Sequence, residues 1–213
     1  MKSTEKEISY ISKNTYSTLN SLTDQTKNIW FVCHGIGYLS KYFLKYFNEL
    51  NAGENYIIAT QAPSKYYLGS KYRHVGASWL TKENTKTEIE NVMHYFDSVL
   101  ENEKLPNNLN LNILGYSQGV SVALRYVARR QLKCNQLILM SGGIPGELEK
   151  SSFEFLNEKT KVSLIYGLQD EYFNEEYMSH EIIRFVELFG KSGKIIPFEG
   201  KHEVRKEFLN ELI

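Results

Sequence analysis

The spacing of apolar residues changes period repeatedly along this chain. Asn28–Cys33 (NIWFVC), Tyr56–Ala59, Leu137–Met140 and Val162–Tyr166 are compact apolar runs, the pattern of strands buried on both faces. Leu109–Leu114 alternates apolar and polar side chains as a strand does, and Lys194–Phe198 is a last strand. Between these runs apolar residues recur at helical spacing. They do so at Leu39, Phe43, Phe47 and Leu50, at Ile89, Val92, Met93, Phe96 and Leu100 within Glu83–Leu100, and at Val120, Ala123, Leu124 and Val127. Ile182, Phe185, Val186 and Phe189 mark another helix over Glu175–Phe189, with a short one near Phe153–Leu156 and a final one over Glu203–Leu212. Ile8, Tyr10, Tyr16, Leu19 and Leu22 predict one or two further strands before a turn at residues 24–27. Strands alternating with helices predict an α/β fold, a mostly parallel sheet with helices on both faces. No repeat, low-complexity segment or linker interrupts the pattern, so one domain over residues 1–213 is expected.

Composition narrows the possible partners. Hydrophobic residues at 42% and charged ones at 23% are globular values. Lys+Arg and Asp+Glu both number 25, so no global basic field draws nucleic acid or an anionic membrane, and neither is expected as a partner. The five histidines are scattered at 34, 74, 94, 180 and 202, without a metal-binding tract. Cys33 and Cys134 each fall in an apolar run and read as buried free thiols, which suits a reducing compartment, with a disulfide between them as the alternative. The first residues lack the apolar core of a secretory signal, and no apolar stretch approaches membrane-spanning length. A cytoplasmic location is the expectation.

Chemistry enters at Gly115-Tyr116-Ser117-Gln118-Gly119, which lies between a predicted strand and a predicted helix. In that context G-x-S-x-G reads as a sharp turn presenting a nucleophilic serine. Such a turn strains the serine backbone and brings strand and helix together where a Cβ on either flanking glycine would clash. The helix N-terminus then favours negative charge at the serine. A serine hydroxyl needs a base, and the base needs an orienting acid. Asp170 follows the strand Val162–Tyr166, and His202 follows Lys194–Phe198, both at the strand ends where open α/β sheets bind ligands. His202 would take the Ser117 proton, and Asp170 would fix the imidazole tautomer. Glu171 is an alternative acid, Asp170 is alternatively a turn residue or helix cap, and His34 reads as a brace for its own loop. An oxyanion hole needs two N–H donors. Gln118 supplies one, and the bend His34-Gly35-Ile36-Gly37 supplies the other through Ile36.

Beyond these residues the chain resembles the carboxylesterase/phospholipase group of α/β-hydrolases, which contains acyl-protein thioesterases and small bacterial esterases. The resemblance runs from about residue 28 to the C-terminus. It rests on His34-Gly35-Ile36-Gly37, Gln61-Ala62-Pro63, Ser78-Trp79, the Ser117 motif, Gly167-Leu168-Gln169-Asp170 and Gly200-Lys201-His202. It implies an α/β-hydrolase fold, a Ser117/His202/Asp170 triad, and an oxyanion hole at Ile36 and Gln118. The expected reaction is hydrolysis of a small-molecule ester or thioester through an acyl-enzyme with no metal or organic cofactor; the alternatives are the same triad on an amide or lactone bond, or a catalytically silent scaffold that binds a ligand or partner. Trp79 falls where the group has a tryptophan near the substrate cleft, with a core tryptophan as the alternative. The chain departs from the group at Val120 and between Pro63 and Trp79.

That second segment, SKYYLGSKYRHVGAS, is read as a specificity loop in which Tyr66 and Tyr67 bind substrate, or else as a surface loop packed on a helix. It is the only sizeable stretch free to cover the site. No separate lid domain is expected, and short acyl groups are the expected substrates. Arg125, Arg129, Arg130 and Lys133 gather near a helix C-terminus, where they complement its dipole or form an anion site.

Overall fold

The structure is a computed structural model that describes residues 3–190 and 193–212. Its centre is a seven-stranded sheet in the order β1-β3-β2-β6-β7-β8-β9. The strands are β1 (Tyr16–Leu19), β2 (Asn28–Cys33), β3 (Asn55–Thr60), β6 (Asn110–Tyr116), β7 (Gln136–Met140), β8 (Lys161–Gly167) and β9 (Lys194–Phe198). Only β1 runs antiparallel, against β3. The other pairings are parallel.

Such a sheet needs cover on both faces, and β2 shows how the sequence supplies it. Ile29, Phe31 and Cys33 point into one buried cluster with helices α2 (Thr85–Glu103), α3 (Gln118–Arg130) and α4 (Glu175–Phe189). Trp30 and Val32 point into a second cluster with α1 (Ser40–Phe43) and α5 (Lys206–Glu211). Each large apolar side chain removed from water in these layers contributes about 1.5–3 kcal/mol. Cys33 and Cys134 are free and buried, and desolvation pushes both thiols up to about 12. Among the described residues no helix is long and apolar enough to cross a membrane.

Four expectations are corrected. The segment between Pro63 and Trp79 is no loop but an antiparallel hairpin, β4 (Ser64–Leu68) with β5 (His74–Ser78), forming a second small sheet. Its side chains are mostly exposed, so it lacks the in–out alternation that marks a half-buried strand. Residues 7–15 form no strand; only Tyr16–Leu19 pairs, and Ile8, Tyr10 and Ile11 stand in solvent. The helix over Leu39–Leu50 is a short α1 continued by a 3-10 turn at Leu44–Phe47, and the helix near Phe153 is a 3-10 turn at Lys150–Phe153.

Candidate active site

The three polar residues singled out above, 53 and 32 positions apart in the chain, meet at the carboxyl edge of the sheet. Ser117 occupies the turn between β6 and α3 with φ 52° and ψ −123°, a sparsely populated conformation. Several restraints hold it there. Its N–H donates to the Met140 carbonyl at 2.8 Å, and its own carbonyl accepts from Val120 N–H. A Cβ on Gly119 would lie 2.1 Å from the Cys33 carbonyl oxygen, and one on Gly115 2.5 Å from the Val120 Cα. Both motif glycines are therefore demanded by backbone contact.

Asp170 and His202 arrive on two loops laced together by the Leu168 N–H donating to Phe198 and the Gln169 N–H donating to Gly200. The Asp170 side chain is fully buried. Its Oδ1 accepts from the Tyr172 and Phe173 N–H groups, which leaves Oδ2 aimed at His202 Nδ1, 2.7 Å away. His202 Nε2 lies 2.9 Å from Ser117 Oγ. Glu171, the alternative acid, is exposed, with its neighbour already in place. The imidazole is walled by Tyr116, Tyr172 and Phe173, with centroid separations of 5.2, 4.9 and 5.5 Å. The Tyr116 hydroxyl, raised by burial and so neutral, donates to the His202 carbonyl at 3.0 Å.

The Ile36 and Gln118 N–H groups carry no hydrogen bond to any described residue. Gln118 opens α3, so its N–H has no acceptor within the helix. Gly35 closes the approach between the two loops, since a Cβ there would lie 3.1 Å from the Ser117 Cβ. His34 stands behind this loop, fully buried. Its Nε2 accepts the Ala62 N–H at 3.2 Å, so the proton sits on Nδ1 and is donated to the Gly35 carbonyl at 2.7 Å. Burial lowers its pKa to about 4 against the weaker upward pull of the Gly35 bond. His34 is a neutral brace for its own loop, and its ring bonds Gly35 and Ala62, not Ser117 or His202.

The three residues expected to bind substrate separate. Trp79 has no exposed surface; its indole donates to the His34 carbonyl at 2.7 Å and packs on Phe96. The expectation that it lines the cleft is corrected, because it holds the loop from inside. Tyr66 reaches the loop, with its hydroxyl 3.8 Å from where a Cβ on Gly37 would sit. Tyr67, next along β4, projects from the opposite face and meets Tyr72 edge-on at 5.3 Å, away from Gly37. The arginine cluster is committed elsewhere: Arg125, Arg129 and Arg130 pair with Glu147, Glu90 and Asp97.

Sequence reasoning missed the side chain of Gln118, which bonds the segment leaving β5, and Gly142, whose Cβ would strike the Ser117 carbonyl at 2.3 Å. The adjacent glycines Gly142-Gly143 after β7 were the available signal for the second. Gln118 sits inside the motif itself and gave none beyond its place there.

A seven-stranded, mostly parallel sheet with a serine on the turn after β6 is an α/β-hydrolase. The chain belongs to the phospholipase/carboxylesterase family, which its residues 14–213 match. Solved structures of the same fold include acyl-protein thioesterase 2 of Zea mays (TM-score 0.70, 14% identity, 93% of this chain and 95% of that one). Esterase PE8 (TM-score 0.65, 19% identity, 92% and 98%) and the monoacylglycerol lipase of Paleococcus ferrophilus (TM-score 0.60, 15% identity, 93% and 95%) are others. No curated protein matches the sequence significantly.

Proposed function

We propose that the protein is a serine hydrolase that cleaves carboxylic esters or thioesters of small or short-acyl substrates through an acyl-enzyme. The observation that carries this reading is the unbroken chain from Asp170 Oδ2 through His202 to Ser117 Oγ, at 2.7 and 2.9 Å, beside two N–H groups with no partner among the described residues. Asp170 accepts from His202 Nδ1–H, which leaves Nε2 as the acceptor for the serine proton. Ser117 Oγ attacks the carbonyl carbon as its proton passes to Nε2. The resulting oxyanion is held by the Ile36 N–H in the loop after β2 and the Gln118 N–H at the start of α3. Collapse of the intermediate breaks the bond to the leaving alcohol or thiol, which takes the proton from Nε2. Water then enters by the same route in reverse, giving the acid and restoring Ser117. Each proton and electron pair is accounted for by these groups, so the reaction requires neither metal nor organic cofactor.

The test is labelling by a fluorophosphonate together with turnover of p-nitrophenyl butyrate. Wild type is expected to label and to turn over, and Ser117→Ala to lose both. Undiminished labelling of Ser117→Ala would overturn the assignment. A folded wild type that neither labels nor hydrolyses would mark a silent scaffold.

A further inference from the structure

Beside the oxyanion loop lies a groove of about 440 Å³ between the β4–β5 hairpin and the start of α1, lined by Gly37, Tyr38, Lys41, Leu68, Arg73 and His74 among others. Gly37 is two residues from Gly35, where an added Cβ would lie 3.1 Å from the Ser117 Cβ, so at 3.8 Å per peptide the groove opens within roughly 8 Å of that approach. A substrate held at Ser117 with its carbonyl oxygen on the Ile36 N–H reaches it with a few bonds.

The charge along this wall is one-sided in a protein whose total is zero. No acidic residue occurs from Gln25 to Asn48 or from Asn55 to Lys82, the two stretches that form the groove. The flanking Glu49 and Glu54 are engaged by Lys206 at 2.9 Å and Lys27 at 2.6 Å. The arginines make the same point. Five of the six are ion-paired, at Arg125, Arg129, Arg130, Arg184 and Arg205. The Arg73 side chain has no hydrogen bond or ion pair among the described residues, and neither does the His74 side chain. Lys41 leans over the Tyr42 ring at 4.8 Å, a contact that leaves its ammonium without an anion among the described residues. Tyr38, Tyr42, Leu68 and Val75 add apolar area between these cations.

We propose that this groove is a specificity subsite for an anionic substituent of the substrate, a carboxylate or phosphate a few bonds from the scissile carbonyl. This rests on the hydrolase reading above. Arg73 offers a planar fork suited to either oxyanion, and Lys41 a point charge across the groove. Binding there anchors the far end of the ester while Ser117 and the oxyanion hole hold the near end.

The experiment compares paired substrates that differ only in this group. On the acyl side the pair is p-nitrophenyl butyrate and p-nitrophenyl hydrogen succinate, in which a carboxylate replaces the terminal methyl. On the alcohol side 4-ethylphenyl butyrate is compared with its 4-carboxymethyl and 4-phosphonomethyl analogues. At least one anionic ester is expected to exceed its neutral partner about ten-fold in kcat/KM, with the advantage shrinking as ionic strength rises. The series that shows it identifies the side of the ester, and the acid that shows it identifies the anion. The double variant Lys41→Gln/Arg73→Gln should bring the ratio close to one, and Arg73→Glu should reverse it. Fluorophosphonate labelling of each variant reports that Ser117 is still assembled. A wild type that labels and cleaves neutral esters, yet prefers none of the anionic ones, overturns the subsite and leaves the hydrolase reading standing. A preference that survives in the double variant also overturns it. Absence of both labelling and turnover removes the hydrolase reading, and this inference falls with it.

Discussion

The side chain of Gln118 fastens Trp79 to the turn that carries Ser117: its Oε1 accepts the Trp79 N–H at 2.8 Å. Its Nε2 donates to the Ser78 hydroxyl at 3.0 Å and the Leu80 carbonyl at 2.8 Å. Trp79 in turn donates from its indole to the His34 carbonyl at 2.7 Å. One amide thus ties the end of the hairpin to the turn that carries Ser117, and the tryptophan carries that tie to the loop that holds Ile36. The two N–H groups proposed to stabilise the oxyanion lie on the two segments joined in this way.

Gln118→Ala keeps the Gln118 backbone N–H but removes the tie. We expect kcat to fall roughly ten- to a hundred-fold with little change in KM, because loosened donors act on the transition state more than on the bound ester. Gln118→Glu retains an acceptor for the Trp79 N–H and loses both donated bonds, so it should fall as well. Steady-state kinetics of the three proteins checks this. A Gln118→Ala enzyme with wild-type kcat would show that the oxyanion loop is positioned without it.

Asp170→Asn tests the other end of the proton path. An asparagine can still accept the Tyr172 and Phe173 N–H groups through its oxygen, so the loop should keep its shape. The amide would then face His202 Nδ1 with a donor. That forces the imidazole proton to Nε2, where it cannot accept from Ser117. A loss of about 10,000-fold in kcat is expected, as for the equivalent change in serine proteases. Glu171→Gln, at an exposed position, should leave kcat within about two-fold of wild type. The reverse pattern would make Glu171 the acid.

The contrast between Asp170 and the hairpin shows which features were legible in the sequence. Ser117, Asp170 and His202 were readable because each follows a strand that the apolar pattern marks, alternating before Ser117 and compactly apolar before Asp170, and ligands bind at the carboxyl ends of such strands. The hairpin was unreadable for the opposite reason. Tyr66, Tyr67 and Val75 favour a strand, but both faces meet solvent and no alternation survives. Trp79 illustrates a third limit. A tryptophan next to a cleft and a tryptophan behind it leave the same letter, and only the Nε1 bond to His34 distinguishes them. The groove residues Lys41 and Arg73 lie 32 positions apart, and nothing in the local pattern signals that the chain brings them together.

His34 makes a prediction about stability instead of rate. It is buried and neutral, its pKa lowered to about 4 chiefly by desolvation, against 6.5 for an exposed imidazole. Between those values the unfolded chain binds more protons at this position than the folded one does. The His34 contribution is therefore complete above pH 6.5, declines as the pH falls toward 4, and changes no further below that. The difference in pKa corresponds to about 3 kcal/mol over the whole window. Protonation would also cost the acceptor for the Ala62 N–H, because Nε2 would then carry a hydrogen. His34→Gln offers an acceptor and a donor on similar reach and does not titrate. It should be less stable than wild type at pH 7.5, where its fit is poorer, and the gap should narrow steadily as the pH is lowered to 4. Urea unfolding at half-unit intervals of pH measures that difference directly, since carboxylates titrating elsewhere contribute equally to both proteins. A gap that stays constant from pH 7.5 to 4 would show that His34 is not the buried neutral imidazole bracing the oxyanion loop.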